Sequence, residues 1–319
     1  MLSMIIDGHT DVLWALTREM RSFNTESERG HVDLPRLRKG NVGVAFFAIF
    51  PSWSDFDISR GVDQWFKLVE DPTNELMIIK KFTDIEKCES ENKVGVILHF
   101  EGSGGLDSNM IDLRNYYRMG LRSMGLSWSN VNRFATGVAF NPTTGEGLNL
   151  ETGLTTEGRE LVREMNRLGI IVDVSHLNEQ SFWDVIEVSE KPIIASHSNA
   201  YSVCGHFRNL KDDQIKALAE KGGTIGLNFC VSFLHPEKKK EEITLEDMRK
   251  HIDYIVDLVG IDHMSFGSDY DGATVPDVVK DVSYFPNLVN HLKENGYSKD
   301  DVEKISNKNF LRVMKAVWK

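Results

Sequence analysis

The sequence predicts an α/β fold: a parallel (β/α)8 barrel of TIM type, with extra helices at its C-terminal end. Three observations predict it. Eight short apolar runs recur along the chain, most of them followed by a stretch with helical apolar spacing. Eight is the number of parallel strands that closes such a barrel. The rival doubly wound sheet calls for a glycine-rich phosphate turn after the first strand, and His9-Thr10-Asp11 is no such turn. A length of 319 residues suits one barrel domain spanning 1–319.

The first run spans Met4 to His9. A polar connection from Thr25 to Asp33 leads through Leu34 and Leu37 into the second strand, Val42 to Phe50. A helix is expected from Val62 to Phe82, on the spacing of Phe66, Val69, Leu76, Ile79 and Phe82, with a bend or interruption at Pro72. The third strand, Val94 to Phe100, ends at Glu101 and a Gly-rich turn. A short helix near Met110–Met119 precedes the fourth strand, Leu121 to Trp128. The Asn/Gly/Thr/Pro-rich segment from Asn130 to Thr155 is long for a connection, and such loops tend to be functional or mobile. A helix from Thr156 to Leu168 feeds the fifth strand, Ile170 to Ser175, which ends at His176. A helix from Glu179 to Val188 and then Pro192 precede the sixth strand, Ile193 to Ser196, which ends at His197. The helix Asp213–Lys221 stops at Gly222-Gly223, as a C-terminal cap would, before the seventh strand, Thr224 to Phe229. Thr244 and Asp247 make a capping-box start for a helix carrying Met248, Ile252 and Ile255. The eighth strand, Met264 to Ser268, ends at Asp269, and two helices close the chain, the last opening at Ser298 and Asp301.

Composition narrows the setting. With 41% hydrophobic and 27% charged residues the chain has ordinary globular proportions. No apolar run approaches the roughly 20 residues that span a bilayer, and the N-terminus lacks the pattern of a secretion signal. A net charge of −11 disfavours nucleic acid or an anionic membrane as partner. Cys88, Cys204 and Cys230 are widely spaced without a CxxC pair, which fits a reducing, cytoplasmic location.

The polar residues that break the apolar runs carry the chemistry. His9 and Asp11 alone are a weak signal, although two-residue alternation would put them on one side of an extended chain. Glu101, His176, His197 and Asp269 also stand at strand ends, and in a barrel those ends converge on one mouth. Two metal ions about 3.5–4 Å apart need a bridging ligand, which Glu101 suits. One ion then takes His9, Asp11 and Glu101, and the other takes Glu101, His176 and His197. An N/O ligand set without thiolate fits zinc best, with manganese, cobalt or iron as substitutes. Such a centre acidifies a bridging water to hydroxide, which attacks a carbonyl carbon, and Asp269 passes the proton to the leaving amine. His99 is expected in the layer beneath, as packing. His31, His206, His235, His251, His263 and His291 read as surface or loop residues, with His206 notable as a neighbour of Arg208. Trp14, Trp53 and Trp65 read as packing.

The segments Asp7-Gly8-His9-Thr10-Asp11, Asp173-Val174-Ser175-His176, Ser196-His197-Ser198 and Gly267-Ser268-Asp269-Tyr270-Asp271-Gly272 resemble those of the membrane (renal) dipeptidase family, peptidase family M19, among the amidohydrolase-like metal-dependent hydrolases. Order and spacing match over nearly the whole chain. The resemblance implies an eight-stranded barrel with two zinc ions, a homodimer, and hydrolysis of dipeptides, some with a D-residue at the C-terminal position. It places the zinc ligands on His9, Asp11, Glu101, His176 and His197, the catalytic aspartate on Asp269, and the arginine that binds the substrate carboxylate on Arg208. One position departs: Trp128 stands where animal members carry a histidine thought to stabilise the oxyanion. An indole donates one hydrogen bond but cannot become cationic, so that task falls to metal, Trp128 or Asn130. No signal or hydrophobic tail of an animal-type anchor is seen. The same constellation would serve an amidohydrolase of N-acyl amino acids, lactams or phosphoesters. An idle binding protein is suggested only by Trp128.

Overall fold

Valine, isoleucine and phenylalanine crowd both faces of the strand segments, as strands covered on each side require. In the computed structural model, which describes residues 4–140, 147–148 and 150–319, the first and longest of these segments are buried along their whole length or nearly so. The strands are β1 (Ile5–Thr10), β2 (Val42–Ile49), β3 (Leu76–Ile78), β4 (Val94–Phe100), β5 (Leu121–Gly125), β6 (Ile171–Asp173), β7 (Ile194–Ala195), β8 (Thr224–Leu227) and β9 (Met264–Phe266). They pair in parallel in the order β2-β1-β9-β8-β7-β6-β5-β4, and β2 also pairs with β4 from Val44–Gly95 to Ile49–Phe100, which closes an eight-stranded barrel. Helices lie between the strands, as the sequence predicts. Residues 141–146 and 149 of the long 130–155 segment lie outside the described residues.

The segment between β2 and β4 departs from expectation. The region expected as a helix from Val62 to Phe82, bent or interrupted at Pro72, is a helix Asp55–Glu70 that does end before Pro72, then a 3-10 turn Pro72–Asn74, the strand β3 and a helix Phe82–Ser90. The Ser54/Asp57 capping box starts the first helix before the apolar spacing shows it. Pro72 cannot continue a helix, and the Asp71 carboxylate captures the Thr73 amide at 2.9 Å. Leu76-Met77-Ile78 then adds to the edge of β4 at Val94–Val96, beside the stretch Leu98–Phe100 that pairs with β5.

The C-terminal helices position the site by filling the barrel from below. The turns Lys299–Glu303, Lys304–Lys308 and Asn309–Val317 follow one another without a break. Phe310, Val313 and Met314 pack against Ile6, Val44, Phe46, Ile97, Ile171 and Ile194 from the strands. The Phe310 ring lies 5.4 Å from Phe46, and Gly8 makes room for it, since a Cβ there would fall 2.5 Å from Phe310 Cζ. Above Phe46 comes His99 at 6.4 Å, and above His99 comes His9 at 5.3 Å between ring centroids. An apolar plug therefore supports a polar layer, and that layer supports the strand ends.

His251, expected at the surface, is fully buried on the helix Leu245–Val259. Its Nδ1 accepts from the Ala200 amide at 3.3 Å and its Nε2 faces the Leu234 carbonyl at 3.1 Å, so it ties two loops to that helix. No helix among the described residues is long and apolar enough to cross a membrane.

Candidate metal centre and active site

A buried carboxylate to which the sequence assigned no role, Asp7, holds two strand ends together. Asp7 accepts from the Ser268 amide at 2.8 Å and the Ser268 hydroxyl at 2.6 Å, locking the end of β9 against β1. The Asp269 amide then donates to the His9 carbonyl at 3.1 Å. Asp269 and Asp271 both take left-handed backbone conformations, with φ of 61° and 67°, so the chain turns sharply at the strand end. Asn228 donates to Asp269 Oδ2 at 2.9 Å and fixes its carboxylate. Gly272 is needed here for space, because a Cβ would lie 2.0 Å from Asp11 Oδ2 and 2.7 Å from Asp269 Oδ1.

The structure brings His9, Asp11, Glu101, His176, His197 and Asp269 together at the C-terminal mouth of the barrel. Glu101 Oε1 is the meeting point, at 3.0 Å from His176 Nε2, 3.5 Å from His9 Nε2 and 3.7 Å from His197 Nε2. His9 Nε2 lies 3.4 Å from Asp11 Oδ2, and the two facing Nε2 atoms of His176 and His197 are 2.8 Å apart. Alternation does not explain the first pair. The pairing of β1 is irregular between Asp7 and Thr10, and Asp11 stands in the turn that opens the helix Val12–Glu19.

Charge and hydrogen bonding show what the cluster accommodates. Burial opposes a charge on His9, but Glu101 and Asp11 outweigh it and lift the imidazole to about 10. Burial, and after it Asp11, pushes Glu101 well above the carboxylate range; burial likewise raises Asp269 to about 6. This is a pocket of acidic groups that calls for positive charge. Both His9 nitrogens and Asp11 Oδ1 are buried without a properly formed hydrogen bond, which is costly unless another ligand completes them. Burial and then Arg208 keep His176 well below its usual value, and burial and then His9 do the same for His197, which favours the neutral ring, the form that binds a metal. The groups present fit divalent cations. Close sets within the cluster are His9, Glu101 and His197, and His9, Asp11 and Asp269.

Hydroxyls back two of the imidazoles. Ser129 Oγ lies 3.0 Å from His176 Nδ1, and Ser196 Oγ lies 2.7 Å from His197 Nδ1. Ser196 in turn donates to Asp173 Oδ2 at 2.5 Å, while Asp173 Oδ1 accepts from the Ser196 amide at 2.9 Å and the Ser175 hydroxyl at 2.7 Å. His99 stays in the supporting layer, with Nδ1 3.1 Å from Ser123 Oγ and Nε2 3.6 Å from Asp173.

Over these groups opens a cavity of about 460 Å³, within the usual range for small ligands of roughly 300–1,000 Å³. Asp11, Glu101, His176 and Asp269 line it, while the fully buried His9 and His197 lie behind them. Arg208 also faces it. Its Nη1 donates to the Ser175 carbonyl, its Nη2 is buried without a partner, and the guanidinium sits 5.4 Å from the Phe233 ring. Trp128 lines the cavity with its ring stacked on His176 at 5.7 Å and 30°. Asn130 is not brought to the cavity. Its carboxamide oxygen accepts from Ser127 Oγ at 3.1 Å and its backbone carbonyl from Gly137 at 2.7 Å, so it is spent on the turn. His206 and Trp14 line the cavity, Trp53 is exposed at 52%, and only Trp65 is buried packing. Phe50, Phe140 and Phe207 from the connections and Phe233 from the short helix Val231–Leu234 also reach the cavity and carried no sequence signal.

A closed parallel barrel with acidic and imidazole groups gathered at its C-terminal mouth defines a metal-dependent hydrolase. Residues 2–319 match the model of the membrane dipeptidase family, peptidase family M19, and the chain belongs to that family. It superimposes with a TM-score of 0.89 on a metallopeptidase from Rhodobacter sphaeroides liganded with a phosphinate mimic of the dipeptide L-Ala-D-Ala, at 31% identity over 99% of both chains. An M19 metallopeptidase, dipeptidase AC, gives a TM-score of 0.90 at 32% identity, covering all of this chain and 99% of that one. An uncharacterised dipeptidase of Schizosaccharomyces pombe is 33% identical over 98% of this chain and 80% of its own length.

Proposed function

We propose that the chain, a single domain over 1–319, is a dipeptidase whose centre holds two zinc ions, one on His9, Asp11 and Glu101 and the other on Glu101, His176 and His197. The observation that carries this is Glu101 Oε1 standing within 3.7 Å of three Nε2 atoms supplied by three different strand ends. Bound divalent metal supplies Lewis acidity and brings the ionisation of water near neutral pH. The chain does the rest. Asp269, lifted to about 6 by burial and steadied by Asn228, is suited to take a proton near neutrality and hand it to the leaving amine. Trp128 presents a ring face, not a cation, and serves as a wall of the site. Acceptance of a D-residue at the C-terminal position is supported by the ligand bound to the Rhodobacter relative.

Ser196 orients His197. Its hydroxyl donates to Asp173 and so accepts from His197 Nδ1–H, leaving the Nε2 lone pair directed at Glu101. Ser196→Ala is expected to weaken zinc affinity roughly 10- to 100-fold. Competition against a chromophoric chelator measures it, and unchanged affinity would remove the hydroxyl from the account.

Arg208 receives the free carboxylate through its unpartnered Nη2. Arg208→Ala is therefore expected to raise KM for dipeptides roughly 10- to 100-fold, the worth of a charged hydrogen bond, with a smaller change in kcat. An unchanged KM would point instead to a substrate without a carboxylate, and steady-state kinetics distinguish the two.

A further inference from the structure

Resting on the dipeptidase function proposed above, we infer that the site selects dipeptides with a large apolar side chain on the N-terminal residue, taken up by a wall of Trp14, Phe50 and Trp128. Barrel topology sets the direction. Arg208 lies in the connection after β7, and β2 is four strands from β7 whichever way the closed barrel is followed. Arg208 and the end of β2 thus face one another across the mouth, with Glu101 and Asp269 between them. A dipeptide with its carboxylate on Arg208 and its peptide bond over these carboxylates sends its N-terminal residue toward the ends of β1 and β2.

Aromatic rings wait there. Phe50 directly follows β2, with its ring 6.2 Å from Trp14 and 5.4 Å from Trp128. All three line the cavity and are half-buried, so a face of each remains for a ligand. Trp53 extends the wall to the rim, 5.8 Å from Phe50 and 6.2 Å from Trp128. The nearby Arg18 guanidinium lies 4.8 Å from the Trp14 ring but does not line this cavity. Among the described residues, the basic side chains that line the cavity are Arg208, His206 and His176; the first two stand at the opposite end, and the third is committed to the metal centre proposed above. An acidic N-terminal side chain would be desolvated here without a partner, whereas an apolar one gains by burial.

The test compares kcat/KM of the zinc-loaded enzyme for Phe-Ala, Leu-Ala, Ala-Ala and Asp-Ala, and repeats it with Phe50→Ala and, as a control, with Phe56→Ala, whose side chain is 73% exposed on the helix Asp55–Glu70. Phe-Ala and Leu-Ala are expected to exceed Ala-Ala roughly 10- to 100-fold, with Asp-Ala slowest. Phe50→Ala is expected to bring the Phe-Ala to Ala-Ala ratio below about 3-fold, while Phe56→Ala retains it. Each ratio is internal to one preparation, so a partly misfolded variant still reports. Turnover of all four dipeptides without preference, or a ratio that survives Phe50→Ala, overturns this inference alone. No turnover of any of them overturns the dipeptidase function and this inference with it.

Discussion

Asp269→Asn is expected to lower kcat for dipeptides by roughly 10²- to 10⁴-fold while the protein keeps its metal. The two oxygens of Asp269 have different employment. Oδ2 accepts from Asn228 at 2.9 Å, a bond that the carboxamide oxygen of asparagine can also accept. The lost function is the other one, accepting a proton and returning it, which an amide cannot do. Burial, the main cause of its raised value of about 6, is also what makes Asp269 a better base than an exposed aspartate. Steady-state kinetics paired with metal analysis check the prediction. Activity above about a tenth of wild type would assign proton transfer to another group.

Glu101→Gln is expected to have the second large effect, on metal rather than on the proton. Removing a residue that only orients a ligand costs roughly 10- to 100-fold in metal affinity, so neutralising the carboxylate proposed to bridge two ions should cost more. The amide would also aim an N–H where His9, His176 and His197 now meet a carboxylate oxygen. Zinc content is expected to fall from two ions per chain to one or none, and turnover with it. Stability should move the other way. Glu101 is buried among Asp11 and Asp269, so in chelator the variant is expected to melt no lower than the wild type. A variant that retains both ions would exclude Glu101 as the bridge.

The site was legible where one strong contrast marks it. An apolar run that stops at a histidine or carboxylate is visible in a single sequence, and His9, Glu101, His176, His197 and Asp269 all stand at such stops. Barrel closure then gathers them without further information. What stayed hidden depends on contacts between distant segments or on turn geometry. The strand Leu76–Ile78 continues the spacing of Phe66 and Val69, and only the free edge of β4 makes it a strand. The relay from Asp173 through Ser196 to His197 joins β6 to β7, although Asp173 stands only three positions before His176 and Ser196 adjoins His197 in sequence. Ser129 and Asn130 are adjacent polar residues, and the turn decides that the first reaches His176 while the second bonds to Ser127. His9 and Asp11 do meet, but through an irregular strand end and a helix start instead of simple alternation.

The most direct test is to strip the purified protein with chelator, add back zinc in measured equivalents, and follow hydrolysis of a dipeptide panel. The account predicts turnover that vanishes on stripping and returns in full as the second equivalent binds. Zinc-loaded protein inert toward every dipeptide, or turnover that survives complete removal of metal, would contradict it.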